Sequence, residues 1–470
     1  MFKRVLVANR GEIAVRAIRA LKEMGIESVA VYSDADCNAL HTLYADYAYA
    51  LNGDRSGDTY MNIDKLIHIA KVAGVDAVYP GYGFLSEKSR FAEAVEKAGI
   101  TFIGPKSETL DLMGDKIKAR QLMLSLGVPV VRGSNTAINN FADAEEIADI
   151  IGYPVLIKPS AGGGGMAMKV AYNVEELKEG IEKVQQQAMS LFNDDSLFVE
   201  KYIEHPRHIE VQVAGDHYGN YIHLYERECS IQRRHQKVVE EAPSTVLTPE
   251  LREKMGEMAV SIARSVNYDS VGTVEFIYED GEFYFLEMNT RIQVEHTITE
   301  MITGVDLVQM QIAIAAGEPL HYKQEDIAIN GHAIECRVCA EDPLNKFIPS
   351  PAEIEDYLAP GGFGIRLESG VYAGYEISTF YDSMFAKLIS WGSTRNKAID
   401  RMRRALEEFI VTGPKTTIPL LWSIMSNEDF IANEISTKFI EEHPELLKQV
   451  KIYNANMERS KRIIIDGFTE

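Results

Sequence analysis

Four cysteines in 470 residues, Cys37, Cys229, Cys336 and Cys339, are too few and too scattered to staple a chain of this length, which excludes a disulfide scaffold. Cys336 and Cys339 form a C-x-x-C, but a structural zinc site would want a second such pair, and the flanking Ala333-Ile334 and Val338 read as a buried strand. Basic residues are also in short supply: 48 Lys and Arg stand against 70 Asp and Glu, a net charge of -22 that disfavours nonspecific binding to nucleic acid or anionic membranes. No apolar run approaches the length of a membrane span, and Met1-Phe2-Lys3-Arg4-Val5 runs straight into strand-like residues with no export segment, so the cytoplasm is the expected compartment. The chain has no G-x-G-x-x-G, no Walker A motif, no internal repeat and no low-complexity stretch.

What is present is enough apolar residue for a large core and enough length for two or three packed domains. The first hundred residues alternate apolar strands (Val5 to Ala8, Val29 to Tyr32, Ala77 to Tyr79) with amphipathic helices (Ile13 to Leu21, Ile63 to Ala73), the pattern of a parallel α/β sheet. Pro80-Gly81-Tyr82-Gly83 follows one strand, where open sheets of this kind line a ligand crevice. These patterns place a first domain over 1–112, a second over 113–317 with a mobile subdomain at about 131–203, and a third over 333–442. The second and third read equally well as two domains or as one bilobal unit, and 449–470 shows no clear periodicity.

Three segments carry chemistry. In Val155-Leu156-Ile157-Lys158-Pro159-Ser160-Ala161-Gly162-Gly163-Gly164-Gly165 a strand ends in a lysine and then four glycines, a combination that lets backbone N–H groups approach phosphates. A flexible hairpin tip would look similar, and the following Met168-Lys169-Val170-Ala171 predicts a second strand, so the tract reads as a flap. Lys158 and Lys116 are candidate point charges for an anionic nucleotide.

In Glu287-Met288-Asn289-Thr290-Arg291-Ile292-Gln293-Val294-Glu295 every odd position is charged or amide-bearing, and an extended run would put all five on one face. Upstream, Val274-Glu275-Phe276 and Glu282 to Met288 predict a hairpin. A two-residue Asp280-Gly281 turn sends Glu275 and Glu287 to opposite faces, whereas a three-residue loop or a bulge brings them together, and the longer loop is the one expected if both hold a metal. Glu275, Glu287 and Asn289 are an oxygen set suited to magnesium or manganese shared with phosphates. The third segment, Arg233-Arg234-His235-Gln236-Lys237, is a basic knot in an acidic chain, without the interleaved aromatics of a nucleic-acid site.

Taken in order, these segments resemble the biotin carboxylase family of ATP-grasp ligases from Val5 to about residue 445. The most specific matches are Tyr79-Pro80-Gly81-Tyr82-Gly83-Phe84-Leu85-Ser86-Glu87, Gln232-Arg233-Arg234-His235-Gln236-Lys237 and Glu287 to His296. The resemblance implies an N-terminal parallel α/β domain, an ATP-grasp fold with a mobile lid, and a C-terminal α+β domain. It implies ATP contacts at Lys116, Lys158, Gly162, Gly163, Gly164, Gly165, Met168, Glu200, Lys201, Ile203, His208, Gln232 and His235, with two Mg²⁺ or Mn²⁺ ions on Glu275, Glu287 and Asn289. It places Lys237, Arg291, Gln293 and Val294 around bicarbonate, makes Glu295 the base, gives Arg337 the biotin enolate to stabilise, and sets Tyr82 beside the biotin ring.

The implied partners are a biotinylated carrier protein and a carboxyltransferase subunit, with no nucleic acid and no membrane. A homodimer is implied as well, with Arg16, Arg19 and Phe363 where such proteins make that contact. Ala167-Met168-Lys169-Val170 resembles a biotinylation motif, but Lys169 is expected to be an ordinary strand residue. Two departures stand out. Met166 and Ala167 follow the glycines where the family has a cation and a glycine, and Thr297 stands where the family often has proline, with an effect expected on backbone stiffness alone. The competing readings are another ATP-grasp carboxylate ligase and a low-activity regulatory subunit.

Overall fold

Strands that carry apolar residues at every position are stable only when covered on both faces, which is the arrangement the first segment builds. The computed structural model describes residues 1–134, 136–138, 140–160, 167–192 and 194–466. Strands β1 (Arg4–Val7), β2 (Glu27–Tyr32), β3 (Tyr47–Ala50), β4 (Ala77–Tyr79) and β5 (Thr101–Phe102) form a parallel sheet in the order β3-β2-β1-β4-β5. The helix Gly11–Glu23 buries Ile13, Ala14, Ala17, Ile18 and Leu21 between this sheet and the rest of the molecule.

The strand order reverses between β1 and β4, so the chain ends leaving them open a crevice. Asn9 closes its floor by donating to the carbonyls of Pro80 (2.7 Å) and Tyr82 (2.8 Å). Gly81 has φ +63°, and a Cβ there would stand 3.0 Å from Asn9 Nδ2, so this turn needs glycine.

A smaller sheet follows, β6 (Val155–Pro159) flanked by β7 (Lys169–Ala171) and β8 (Leu197–Lys201), covered by the helices Phe141–Ile151 and Val174–Phe192. Lys169 lies in β7 opposite Ile157, an ordinary strand position as expected. Gly162, Gly163, Gly164, Gly165 and Met166 lie outside the described residues.

One continuous sheet runs through the second and third segments. Strands β9 (Arg207–Gly215), β10 (Tyr221–Arg233), β11 (Gln236–Ala242), β12 (Val271–Glu279), β13 (Glu282–Asn289), β14 (His332–Cys339), β15 (Ile365–Ser369) and β16 (Met384–Gly392) form one antiparallel sheet in the order β13-β12-β9-β10-β11-β14-β16-β15. The join is the β11–β14 ladder, with Val239 opposite Cys336 and Glu240 opposite Glu335. Cys336 and Cys339 both lie in β14 as free thiols.

The first and last segments are also clasped together. Asp36, fully buried, takes a two-pronged grip from Arg10 (2.6 and 2.7 Å), and accepts from Tyr60 (2.6 Å) and from Tyr375 (3.0 Å) in the last segment. Burial opposes the Asp36 charge, but Arg10 outweighs it and lowers the carboxyl from 3.8 to about 2. A depressed carboxylate contributes stability that is complete above its ordinary pKa and is lost as pH falls through the folded value. Asp36→Asn is therefore expected to unfold more easily at neutral pH and to lose less stability than the unaltered chain between pH 3.8 and about 2. Denaturant midpoints across that window are the measurement, and parallel curves would refute it.

Candidate active site

The site begins with the hairpin that the alternation in β12 and β13 predicts. The turn is the two-residue Asp280-Gly281, both residues at positive φ (49° and 86°), the combination that matches strand twist in a tight hairpin. The longer loop expected for a shared metal face is therefore absent. Instead Phe276 pairs with Phe285 while Glu275 pairs with Glu287, so Leu286 is an extra residue bulged out of β13. That bulge resets the alternation and turns Glu287 to the face of Glu275.

The period-two run does not continue as a strand. β13 ends at Asn289, residues 290–295 form an irregular turn, and Glu295 is the N-cap of the helix His296–Thr303. The expectation of five residues on one extended face is thus corrected: tertiary contacts, not pleating, converge Arg291, Gln293 and Glu295 on the carboxylates of the sheet. Gln293 Nε2 and Asn289 Nδ2 both donate to Glu275 Oε1 (2.7 and 2.8 Å), and Arg291 donates to Asn289 Oδ1 (2.8 Å) and pairs with Glu87 (3.0 Å).

Lys237 is the hub. Its ammonium donates to Glu210 (2.5 Å), Glu275 (2.9 Å) and Glu295 (2.6 Å). Arg337 bridges Glu240 (2.6 Å) and the second oxygen of Glu295 (3.0 Å). Behind them Arg227, with no exposed surface, donates to Glu210, Gln212, Thr273, Thr299 and Gln293 at 2.6–3.0 Å. Glu295 is buried, which would raise its carboxyl, but Lys237 and then Arg337 and Arg227 hold it below the usual range and hence ionised.

Burial opposes the Glu275 charge too, and Lys237 and His208 overcome it. Burial would lower His208, but Glu275, 3.0 Å away, and Glu210 raise it to about 9; Gln232 lies 3.1 Å from its other ring nitrogen.

The donor chemistry of the outer pair, Glu275 and Glu287, suits a divalent ion beside this hub. Glu287 stands opposite Glu275 with its side chain still open to solvent, and partial burial together with the Glu275 charge pushes its carboxyl up, with Lys116 pulling it down. Two hard oxygen donors that repel each other next to an amide are the set a magnesium-like ion takes. The inner carboxylates Glu210, Glu275 and Glu295 instead share the one ammonium of Lys237.

Of the other expected nucleotide contacts, Lys116 opens the helix Lys116–Ser125, and several more lie on the small sheet. Lys158 and Glu200 form an ion pair at 2.6 Å across β6 and β8, Lys201 donates to the carbonyls of Gly152 and Tyr153, and Ile203 and Met168 are half-buried at the strand ends. His235 is exposed in the β10–β11 turn at φ 63°. Tyr82 donates to Glu12, on the crevice side of the hub.

Two expectations change. Arg16 is not a surface contact: it is buried between Glu300 (3.0 Å) and Asp306 (2.7 Å), because its helix face packs inward. Thr297 does more than loosen the backbone, since its buried hydroxyl is hydrogen-bonded to Glu335, and no proline could be. Glu210, Gln212, Arg227 and Glu240 are neighbours of this cluster that the motifs do not contain, and Glu87, which closes the Tyr79 motif, joins it through Arg291. The alternation His208, Glu210, Gln212 in β9 is the available signal, the same period of two that exposes the later run.

Comparisons with known proteins find relatives along almost the whole chain. The family described as "Biotin carboxylase, N-terminal domain" matches residues 1–110, "Carbamoyl-phosphate synthase L chain, ATP binding domain" matches 115–323, and "Biotin carboxylase C-terminal domain" matches 335–442. The chain is 56% identical to a pyruvate carboxylase subunit of Methanothermobacter thermautotrophicus, over 94% of this chain and 90% of that protein. It is 52% identical to biotin carboxylase 1 of Bacillus subtilis, over 94% and 98%. The solved biotin carboxylase domain dimer of the Hydrogenobacter thermophilus 2-oxoglutarate carboxylase, in complex with MgADP, ADP and bicarbonate, is 53% identical and superposes with a TM-score of 0.91, covering 95% of this chain and 98% of that one.

Proposed function

The chain belongs to the biotin carboxylase family, and from that premise we propose how its residues divide the work. It carboxylates biotin with bicarbonate at the expense of ATP, which supplies the first half-reaction of a biotin-dependent carboxylase. ATP, Mg²⁺ and biotin are its cofactors and substrates. The observation that carries the residue roles is Glu295 held between Lys237 and Arg337 beside the Glu275–Glu287 pair.

Glu295 accepts the bicarbonate proton, and the freed oxygen attacks the γ-phosphorus of ATP to give carboxyphosphate and ADP. Carboxyphosphate breaks to CO₂ and phosphate, the phosphate takes the biotin proton, and the enolate attacks CO₂. Lys237, with Arg291, Gln293 and Val294, surrounds bicarbonate, and Arg337 stabilises the enolate next to Tyr82. Glu275, Glu287 and Asn289 hold Mg²⁺ or Mn²⁺, which when bound neutralises phosphoryl charge. Lys116, Lys158, Met168, Glu200, Lys201, Ile203, His208, Gln232, His235 and the glycine tract contact the nucleotide.

The test is ADP release that depends on both bicarbonate and free biotin. ATP cleavage driven by another carboxylate would instead favour a different ATP-grasp ligase.

The hairpin gives this reading a sharp check. Deleting Leu286 removes the bulge but puts Glu287 directly after Phe285 and so still opposite Glu275, and is expected to leave Mn²⁺ binding in place, whereas Glu287→Ala is expected to weaken it about tenfold or more, read by titration calorimetry. Unchanged Mn²⁺ affinity in Glu287→Ala would remove Glu287 from the metal site.

The proposed partners are a carboxyltransferase subunit and a biotinylated carrier protein, and a cytoplasmic location is consistent with them; among the described residues no single helix is long and apolar enough to cross a membrane. Phe363, 74% exposed and packed edge-on against Trp391, supports a homodimer through that face, as does the dimeric relative. A monomeric mass at micromolar concentration would reject it.

A further inference from the structure

Lys387 is the only lysine among the largest fully buried side chains of the described residues, in the middle of the apolar strand β16 between Ala386 and Leu388. Taking an ammonium out of water is strongly unfavourable unless it is paired, and an apolar side chain of similar size is usually no less stabilising. Core packing alone therefore does not account for a lysine here.

Its ammonium has two partners. It donates to the carbonyl oxygen of Val294 at 2.5 Å and pairs with Glu12 at 3.2 Å. Glu12, 4% exposed at the start of the helix Gly11–Glu23, accepts from Tyr82 and has its second oxygen buried without a hydrogen bond among the described residues.

The partner carbonyl lies in the one part of the hub that no strand ladder holds. Residues 290–295 leave the sheet after Asn289. Val294 stands between Gln293, which bonds Glu275 and Arg227, and Glu295, which bonds Lys237 and Arg337. Rotation of the 294–295 peptide would carry both side chains with it, and a misplacement of about 1 Å at such a site lowers rate steeply.

We propose that Lys387, oriented by Glu12, is a positioning residue for bicarbonate: its grip on the Val294 carbonyl fixes the turn that presents Gln293 and Glu295. The inference rests on the reading of that turn as the bicarbonate site. Glu12 and Lys387 come from opposite ends of the chain, so the turn in the middle segment is set by a buried ion pair that belongs to neither of its neighbouring strands. The nucleotide contacts on the small sheet are held by separate bonds, such as Lys158 to Glu200, and are independent of this grip.

The test compares Lys387→Met with the double variant Lys387→Met/Glu12→Gln, in the full chain, by steady-state kinetics and denaturant midpoint. Lys387→Met is expected to lower the midpoint, because Glu12 is left charged and unpaired, and to raise the bicarbonate KM about tenfold, the effect of losing one charge-assisted hydrogen bond. Adding Glu12→Gln is expected to restore the midpoint while the bicarbonate KM stays high and the ATP KM stays within about twofold of the unaltered chain.

A bicarbonate KM that recovers together with the midpoint, or an ATP KM that rises in parallel, would overturn the positioning role. If Lys387→Met does not fold, the double variant alone decides. Absence of bicarbonate-dependent ADP release in the unaltered chain would instead overturn the underlying reading, and the inference with it.

Discussion

Glu295→Gln is expected to lower kcat for bicarbonate-dependent biotin carboxylation by about 10²–10⁴-fold, the range spanned by a positioned general base. The amide keeps the size of the carboxylate and can still accept from Lys237 through its oxygen, so the pocket survives, but it cannot take a proton from bicarbonate. Loss of one negative charge among Glu210, Glu275 and Glu295 also leaves Lys237 and Arg337 less neutralised, which favours anion binding. The bicarbonate KM is therefore expected to stay level or to fall while kcat collapses.

That split distinguishes a base from a binding residue, and fixation of labelled bicarbonate onto free biotin measures both quantities. Because Lys237 and Arg337 hold Glu295 below the usual carboxylate range, its protonation should not limit the rate at neutral pH. A Glu295→Gln protein with more than about a tenth of the original kcat would exclude Glu295 as the base.

The second large effect is on stability. Arg227→Met is expected to destabilise the protein by about 3–5 kcal/mol, the range for removing one partner of a buried ion pair. Arg227 has no exposed surface and satisfies five acceptors on two strands, one turn and one helix. Methionine fills most of the space but leaves Glu210 charged with Lys237 and His208 alone, and strips Gln293 and Gln212 of their donor.

Burial would raise the Glu210 carboxyl, and it is Lys237 and Arg227 that hold it far below its usual range, so the loss is electrostatic before it is one of packing. Arg227→Met/Glu210→Gln should recover a substantial part of the stability. Urea midpoints of the three proteins measure this, and a loss below about 1 kcal/mol in the single variant would show that the site relaxes around the hole.

The parallel first sheet was legible because every residue of Val5-Leu6-Val7 or Ala77-Val78-Tyr79 is apolar, which only a doubly covered strand explains. The Glu287 and Asn289 face was legible from its period of two. The bulge at Leu286 was not: a bulge is chosen by what both faces of the finished sheet must bury, and the tight Asp280-Gly281 turn points to the other register. Arg227 sits in Tyr225-Glu226-Arg227-Glu228, which reads as a solvated charge run; its zero exposure follows from the strands and helix that close over it.

The amino-acid order by itself determined the chemistry available: hard oxygen donors, a cluster of cations in an acidic chain, glycines beside a lysine, and strands whose patterns name their faces. Only the tertiary structure decided which of these meet. Charges paired through β9, β10, β11 and β14 come from residues 208 to 337, and Glu12 reaches Lys387 across nearly the whole chain. Local pattern specifies a strand face because pleating acts over two residues, whereas the choice between solvent and partner for a charged side chain depends on desolvation, which is fixed only when distant strands exclude the water.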